Sequence, residues 1–169
     1  MTRYSLVGPA GQSHTLSIEV NANTDEILVT AVYEGGDIQD KRGAVLATWR
    51  ATYEEPIIGG DLGQLYIGQG RLELEIDELR GVGLGSALMS IIVTWAHQHQ
   101  NVPVSRILLS KDDALVEDNR KMRNRFWEKF GVIFDYHDGD TWGKSQEMMS
   151  HDLKLPEFRL ASGWALEKH

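Results

Sequence analysis

The chain has 169 residues with 17 basic and 25 acidic side chains, which gives a formal net charge of −8 at pH 7. Its length is that of one domain, and an apolar content of 41% is enough for a hydrophobic core, which excludes a disordered chain. The acidic charge argues against nucleic acid as a partner. The absence of cysteine excludes disulfides, thiolate metal sites and a cysteine nucleophile.

No targeting or membrane segment is predicted. Residues 1–12 contain one arginine and no apolar run of signal-peptide length. The longest apolar-rich stretch, residues 84–96, is interrupted by glycine, serine and threonine and is too short to cross a bilayer. We therefore expect a cytoplasmic protein that does not bind a membrane. A homodimer is compatible with the sequence.

The first half of the chain has the alternation of β-strands. Apolar and polar residues alternate in residues 14–20, 26–33 and 44–53, and residues 64–68 predict a shorter strand. Residues 71–77 alternate most regularly, with aliphatic side chains on one face and acidic side chains on the other. We therefore expect a strand-rich N-terminal half that ends in an acidic strand.

The second half has the spacing of helices. Apolar residues recur every three or four positions in residues 84–99, and residues 104–110 predict a strand buried on both faces. Large apolar side chains four apart in residues 122–130 predict a second helix with a buried face, ended by the glycine that follows. Residues 132–136 and 146–153 predict two closing strands. The elements predict an α/β (α+β) fold with a mixed, largely antiparallel central sheet, a strand-rich N-terminal half and two main helices in the C-terminal half.

The most informative segment is residues 80–86, Arg-Gly-Val-Gly-Leu-Gly-Ser, which we call the glycine loop. It follows the acidic strand and leads directly into the first predicted helix. Alternating glycines allow a sharp turn and a close approach of a ligand to the main chain. The backbone N–H groups and the positive dipole of a helix N-terminus favour a phosphate or pyrophosphate there. A tight strand-to-helix turn without a ligand is the structural alternative.

Two common phosphate motifs do not fit the glycine loop. A Walker loop ends in Gly-Lys followed by serine or threonine, and the chain has no such sequence. The dinucleotide-binding fingerprint needs a glycine or alanine where Ser86 stands, and an acidic residue about 20 positions later, where Arg106 is found. The loop therefore predicts a phosphate ligand of another kind.

The spacing Arg-Gly-x-Gly-x-Gly after a strand resembles the acyl-CoA signature of the GCN5-related N-acetyltransferase (GNAT) family. Residues 125–132, Arg-Phe-Trp-Glu-Lys-Phe-Gly-Val, resemble a later helix of that family, commonly Arg-Leu-Tyr-Glu-Lys-Leu-Gly-Phe. The resemblance covers residues 65–153. It implies one GNAT-like domain over residues 1–169, with a strand-rich part at 1–70, an acyl-CoA-binding core at 71–153 and a tail at 154–169.

The resemblance implies acetyl-CoA as co-substrate. No metal is expected, because His97 and His99 diverge on a helix and the acidic residues around His137 lack the spacing of a calcium loop. Three departures bear on the site. Residues 14–53 predict strands where the family usually has two helices, so the wall of the acceptor site is expected to differ. Trp127 stands where a tyrosine often acts as general acid, and Arg120 stands where an asparagine is frequent. The residues assigned to the cofactor are Leu79, Arg80, Gly81, Val82, Gly83, Leu84, Gly85, Ser86, Asn119, Asn124 and Trp127.

The expected chemistry is transfer of an acetyl group to an amine. An ammonium acceptor must lose a proton before it attacks a thioester, and Glu73 or Glu75 on the acidic strand is the candidate base, with Glu78 third. A backbone N–H in residues 76–79 would stabilise the oxyanion. Tyr136 is the candidate acid for the departing thiolate. Because no cysteine is present, direct attack in a ternary complex is the simplest scheme.

The basic residues of the second helix have two readings. They would bind the phosphates of coenzyme A, or they would form a solvated face that balances neighbouring acidic residues. Trp127 likewise would belong to the core or line the path of the pantetheine arm. The residues of the basic group are Arg120, Lys121, Arg123, Arg125 and Lys129.

An acyl-CoA-dependent N-acetyltransferase is therefore the leading hypothesis. Because acidic residues collect near the proposed acceptor end, we expect a cationic primary amine, either a small molecule or a protein lysine or N-terminus. A non-catalytic GNAT-fold protein that binds coenzyme A or a protein partner is the alternative, supported by the tryptophan at position 127. An enzyme acting on another phosphate ligand is the third hypothesis.

Overall fold

A computed structural model describes residues 1–57, 62–68, 76–157 and 159–169, with the backbone alone described for Asp77 and Asp113. The described residues form nine β-strands and two α-helices, and neighbouring strands in the sheets pair antiparallel. This confirms a mixed α/β class with largely antiparallel sheets. The chain divides into two compact units.

The first unit consists of Met1–Arg50, Gln69–Ile92 and Glu157–His169. Its strands lie in the order β4-β3-β2-β1-β9, so that the last strand of the chain pairs with the first. Leu6 of β1, for example, lies opposite both His14 and Leu166. The strands are β1 (Thr2–Val7), β2 (Ser13–Ala22), β3 (Glu26–Gly36), β4 (Val45–Glu54, which continues beyond this unit) and β9 (Ala165–Lys168).

The β2–β3 hairpin carries much of the core of the first unit. Its turn is held by the Asn23 side chain, whose Oδ1 accepts hydrogen bonds of 2.8 Å from the N–H groups of Asp25 and Glu26. Alternation then buries one face of each strand. The buried apolar residues of the hairpin are Leu16, Ile18, Ile27, Val29, Ala31 and Tyr33.

The second unit consists of Ala51–Gly68 and Val93–Pro156. Here the end of β4 pairs with β5 (Gln64–Ile67), and a separate sheet has the order β6-β8-β7. Helix α1 (Leu84–Ala96) begins in the first unit and ends in the second. Helix α2 (Glu117–Lys129) ends before Gly131, whose φ is +81°. The strands of the sheet are β6 (Leu108–Leu109), β7 (Phe134–His137) and β8 (Trp142–Ser145).

Neither helix within the described residues is long and apolar enough to span a membrane. The two predicted helices are confirmed, although α1 ends three residues earlier than the apolar spacing indicates. The apolar spacing of residues 122–130 puts Met122 on the predicted buried face together with Phe126 and Phe130. This is wrong for Met122, because 47% of the residue is exposed on α2.

The strand prediction for residues 104–110 is wrong in length and in burial. Only β6 is a strand there, and Leu108 is 71% exposed. Residues 104–107 lie beside the segment that continues β8, in the register of the β6–β8 pair: the Val104 N–H donates to the Met148 carbonyl at 3.0 Å, and the Ile107 carbonyl accepts from the Ser145 N–H at 2.8 Å. The neighbour is continuous, but only β6 has regular strand pairing.

The closing strands are also displaced from their predicted positions. β8 begins at Trp142, within the predicted turn, because the turn is only residues 138–141, with positive φ at Asp138, Gly139 and Asp140. The predicted strand at 146–153 gives way to a 3₁₀ turn, Ser150–Asp152. Asp152 Oδ2 accepts a 2.8 Å hydrogen bond from the Met149 N–H and so caps this turn.

Candidate functional site

The glycine loop lies in the first unit, between a 3₁₀ turn (Asp77–Leu79) and α1. Leu79, Val82 and Leu84 are buried and fix the path of the loop against the core. Gly81 is exposed and Gly83 is half-buried. The sequence thus alternates apolar anchors with glycines, and the glycines occupy the outward positions of the turn.

Both glycines have backbone conformations that L-residues rarely adopt. Gly81 has φ +73° and Gly83 has φ +109°. A Cβ added at Gly81 would meet no atom of the described residues within 4 Å, as is also found at Gly11, Gly35, Gly43 and Gly139. Such successive turn conformations are typical of backbone concavities that bind anions.

The C-terminal segment lies on the other glycine. A Cβ at Gly83 would lie 3.3 Å from the Arg159 carbonyl oxygen and 3.5 Å from Leu160 Cδ2. The Ala161 N–H donates a 2.9 Å hydrogen bond to the Val82 carbonyl. The sequence gives no sign that the tail docks on the glycine loop. Gly83 is therefore required by the chain itself, whereas Gly81 is not.

Helix α1 presents its N-terminus next to the loop. The Ala87 N–H donates a 3.1 Å hydrogen bond to the Gly83 carbonyl, which is the first helical hydrogen bond of α1. The N–H groups before Ala87 have no acceptor within the helix. Leu84 is buried, whereas Gly85 and Ser86 are half-buried. Among the candidates for the oxyanion donor, the Leu79 N–H is already bonded to the Ile76 carbonyl at 3.0 Å.

A polar cluster that the sequence analysis missed lies in the same unit. His14 is on the apolar face of β2, with 0% of the residue exposed, and its Nδ1 lies 3.0 Å from the Tyr33 hydroxyl. That hydroxyl accepts a 3.3 Å hydrogen bond from the Ile38 N–H, so its own hydrogen can be donated to Nδ1. A histidine in phase with Leu16 and Ile18 was the available signal.

The Nε2 atom of His14 faces Glu78 in the 3₁₀ turn before the loop. It lies 3.6 Å from Glu78 Oε2 and has no hydrogen-bond partner among the described residues. The His14 ring is also stacked on Trp164, with centroids 6.0 Å apart and an interplanar angle of 19°. Burial raises the pKa of Tyr33, and the charges of Asp37 and Glu78 raise it further, so the phenol stays protonated.

The two favoured candidates for the base, Glu73 and Glu75, lie outside the described residues. Glu78, the third candidate, has a half-exposed side chain directed at His14. The assignment of the base therefore stays a prediction.

The other candidate residues lie in the second unit. Asn119 is exposed on α2, whereas Asn124 is buried. The Asn124 carboxamide donates a 3.2 Å hydrogen bond to the Asp140 carbonyl and accepts one of 3.0 Å from Arg123. These bonds hold the left-handed turn at residues 138–140 and give Asn124 a structural function that the sequence does not reveal.

Three basic residues of α2 are engaged within the second unit. The Arg120 guanidinium lies 3.1 Å from Asp140, and Lys121 pairs with Glu117 one turn earlier. Arg123 donates to the carbonyls of Ser110 at 2.6 Å and Thr141 at 3.0 Å. These contacts favour the structural reading of the basic helix over a phosphate-binding one.

Trp127 is part of the core of the second unit. Its exposed fraction is 7%, and its Cη2 lies 3.3 Å from the position of a Cβ at Gly68. Phe126 contacts the indole edge-on, with ring centroids 5.3 Å apart. The burial favours the core reading of this tryptophan.

Tyr136 borders an open depression of ≈ 250 Å³ that Glu128, Ile133 and Lys154 also line. Its hydroxyl lies 3.5 Å from Glu128 Oε1. Burial raises the pKa of Tyr136 above 10.0, and the charge of Glu128 raises it further. The raised pKa makes Tyr136 a weaker acid than a free phenol and keeps its hydroxyl protonated as a hydrogen-bond donor. Its assignment as the acid stays a prediction.

No protein-family model and no curated protein matches this chain. Within the described residues, no group of three or more histidine, aspartate or glutamate side chains has the arrangement of a metal site.

Alanine at the two loop glycines should have unequal effects on stability. Gly81→Ala should lower the free energy of unfolding by about 1 kcal/mol, the cost of a left-handed L-residue. Gly83→Ala should lower it by about 2 to 3 kcal/mol, because its φ is less accessible and its Cβ meets the C-terminal segment. Urea denaturation of the two variants measures the difference. Equal losses would mean that the segment does not press on Gly83.

The raised pKa of Tyr136 should appear as a pH-dependent stability. Because the folded state binds this proton more tightly than the unfolded state, its contribution is complete below pH 10 and is lost as pH rises through the folded pKa. Between pH 9 and pH 11, about one unit either side of an ordinary phenol pKa, the free energy of unfolding should therefore fall more in wild type than in Tyr136→Phe. Urea unfolding of both proteins at the two pH values is the measurement. Identical losses of unfolding free energy in wild type and Tyr136→Phe would contradict the raised pKa.

Proposed function

We propose that the protein is an acyl-CoA-dependent N-acyltransferase that moves an acetyl group from acetyl-CoA to a primary, cationic amine by direct attack in a ternary complex. The Arg-Gly-x-Gly-x-Gly spacing and the later Arg125-to-Val132 stretch support the GNAT relationship. The order of loop, helix, strand and second helix is compatible with it.

One observation carries the proposal: the left-handed Gly81 stands three residues before the first residue of α1, and no atom of the described residues lies within 4 Å of its Cβ position. A pyrophosphate there would meet backbone N–H groups and the positive end of a 13-residue helix. Arg80 is exposed beside it and adds a cationic side chain.

The reaction removes two protons from the amine, one before the attack and one after it. The ammonium gives the first proton to a carboxylate base, for which Glu73 and Glu75 remain the candidates. The neutral amine forms the C–N bond as the C–S bond breaks, and the coenzyme A thiolate leaves. The nitrogen of the new amide then gives its second proton to solvent, and the thiolate takes a proton from Tyr136, the candidate acid, or from water.

The alternative is a non-catalytic protein of this fold that binds coenzyme A or a protein partner. The contact of the C-terminal segment with Val82 and Gly83 favours the protein-partner form of this alternative, because that side of the loop is already occupied.

Calorimetry with coenzyme A, NAD and ATP on the full chain is the first test. Selective binding of coenzyme A supports the proposal, and selective binding of NAD or ATP rejects it. Thiol release from acetyl-CoA in the presence of a panel of amines then separates the enzyme from the alternative. Tight coenzyme A binding without thiol release, for any amine of the panel, would favour the non-catalytic protein.

A charge placed at Gly81 should oppose pyrophosphate binding. Gly81→Gln and Gly81→Glu share the same backbone strain and nearly the same size, so their difference isolates the charge. We expect coenzyme A to bind Gly81→Glu about 10-fold more weakly than Gly81→Gln at low salt, with a smaller difference at high salt. Equal dissociation constants for the two variants would exclude a pyrophosphate at Gly81.

The acceptor preference should be electrostatic. With a net charge of −8, the protein should prefer polycationic amines over neutral amines of equal reach, and salt should reduce the preference. The measurement is kcat/KM for matched amines at low and high ionic strength. Equal values that salt does not change would contradict a cationic acceptor.

A further inference from the structure

The C-terminal residues 159–164, which we call the C-terminal strap, cross the start of α1 in the first unit. The strap is fixed beyond its end by β9, which pairs with β1. It contacts the glycine loop at two places, the Val82 carbonyl and the face of Gly83. The strap therefore covers part of the glycine loop, to which the proposed function assigns the pyrophosphate.

The crossing is built into the sequence by a second glycine. Gly163 has φ +83°, and a Cβ there would lie 2.6 Å from Pro9 Cβ. The Trp164 N–H donates a 3.0 Å hydrogen bond to the Ala161 carbonyl and closes the turn. Only glycine allows the chain to turn so closely over Pro9, so the strap has a defined path.

The indole of Trp164 fastens the strap to the sheet. It stacks on the ring of His14, which is completely buried and held by Tyr33. The remaining contacts of the strap with the loop are modest, because Ala161 is exposed and donates one backbone hydrogen bond. Such a segment can open without unfolding of the sheet behind it.

The strap places a partial negative charge next to the loop. The Arg159 carbonyl oxygen is the atom nearest to the position of a Cβ at Gly83, at 3.3 Å. A carbonyl oxygen is the kind of group that the positive end of a helix attracts, as is a phosphate oxygen. A pyrophosphate that starts at the open Gly81 and extends along the loop to the helix N-terminus would therefore meet the strap at Val82 and Gly83.

We propose that the C-terminal strap is an autoinhibitory element, which must leave Val82 and Gly83 before the pyrophosphate of coenzyme A occupies the glycine loop. This inference rests on the proposed function. The apparent dissociation constant for coenzyme A is the intrinsic constant divided by the fraction of molecules in which the strap is open, so a closed strap weakens binding. Ligand binding in turn shifts the strap toward its open state.

Release of the strap should strengthen binding of coenzyme A. A strap that is closed about ten times more often than open weakens the dissociation constant about 10-fold. Trp164→Ala removes the stack on His14 and should bind coenzyme A about 10-fold more tightly, whereas Trp164→Phe keeps an aromatic ring there and should resemble wild type. Ala161→Pro removes the N–H donor, and Ala161→Ser is its matched control. Calorimetry on the full chain measures all five proteins, and thermal unfolding verifies that each is folded.

Amide hydrogen exchange tests independently whether the strap opens when coenzyme A binds. Exchange of the amides in residues 159–164 of wild type should become faster when coenzyme A binds, because the Ala161 N–H loses the Val82 carbonyl. Slower or unchanged exchange, or coenzyme A affinities of folded Trp164→Ala and Ala161→Pro no tighter than wild type, would overturn the autoinhibitory strap and leave the proposed function standing. Absence of coenzyme A binding in wild type and in both released variants would reject the proposed function and, with it, the inference.

Discussion

The left-handed backbone at Gly83 is the constraint on which the structure around the glycine loop depends. Its φ of +109° turns the chain into α1, and its missing side chain admits the Arg159 carbonyl and Leu160. A side chain at this position would press on the Arg159 carbonyl and strain the segment that donates to the Val82 carbonyl. One glycine thus connects the start of the helix to the last strand of the chain.

The sequence predicts the elements whose periodicity is long and regular. β2 and β3 are ten and eleven residues long, and one face of each is buried, so their alternation is visible in the sequence. β1 and β9 are short, and their pairing joins Leu6 to Leu166 across nearly the whole chain. A contact at such separation leaves no local pattern, and for this reason the sequence analysis did not find either strand.

Side-chain hydrogen bonds explain the other differences. Asp152 caps a 3₁₀ turn where alternation indicates a strand, and Asn124 with Arg123 supports three consecutive left-handed residues in the β7–β8 turn. These bonds favour local turns over extended strands, and the preference depends on partners brought in by the fold. The glycine loop could be predicted because glycine spacing is itself the signal, whereas the strap on it and the His14 cluster depend on tertiary contacts.

The two loop glycines carry different weight as evidence for a ligand. Gly83 is accounted for by the close passage of the strap, so its identity says little about coenzyme A. Gly81 has a φ of +73°, which asparagine or aspartate also adopts at modest cost, yet it is glycine and no described atom lies within 4 Å of its Cβ position. Space that the described residues leave unfilled beside a helix N-terminus is what a backbone-bound anion requires. The argument for a phosphate therefore depends on Gly81, and the argument for its regulation depends on Gly83.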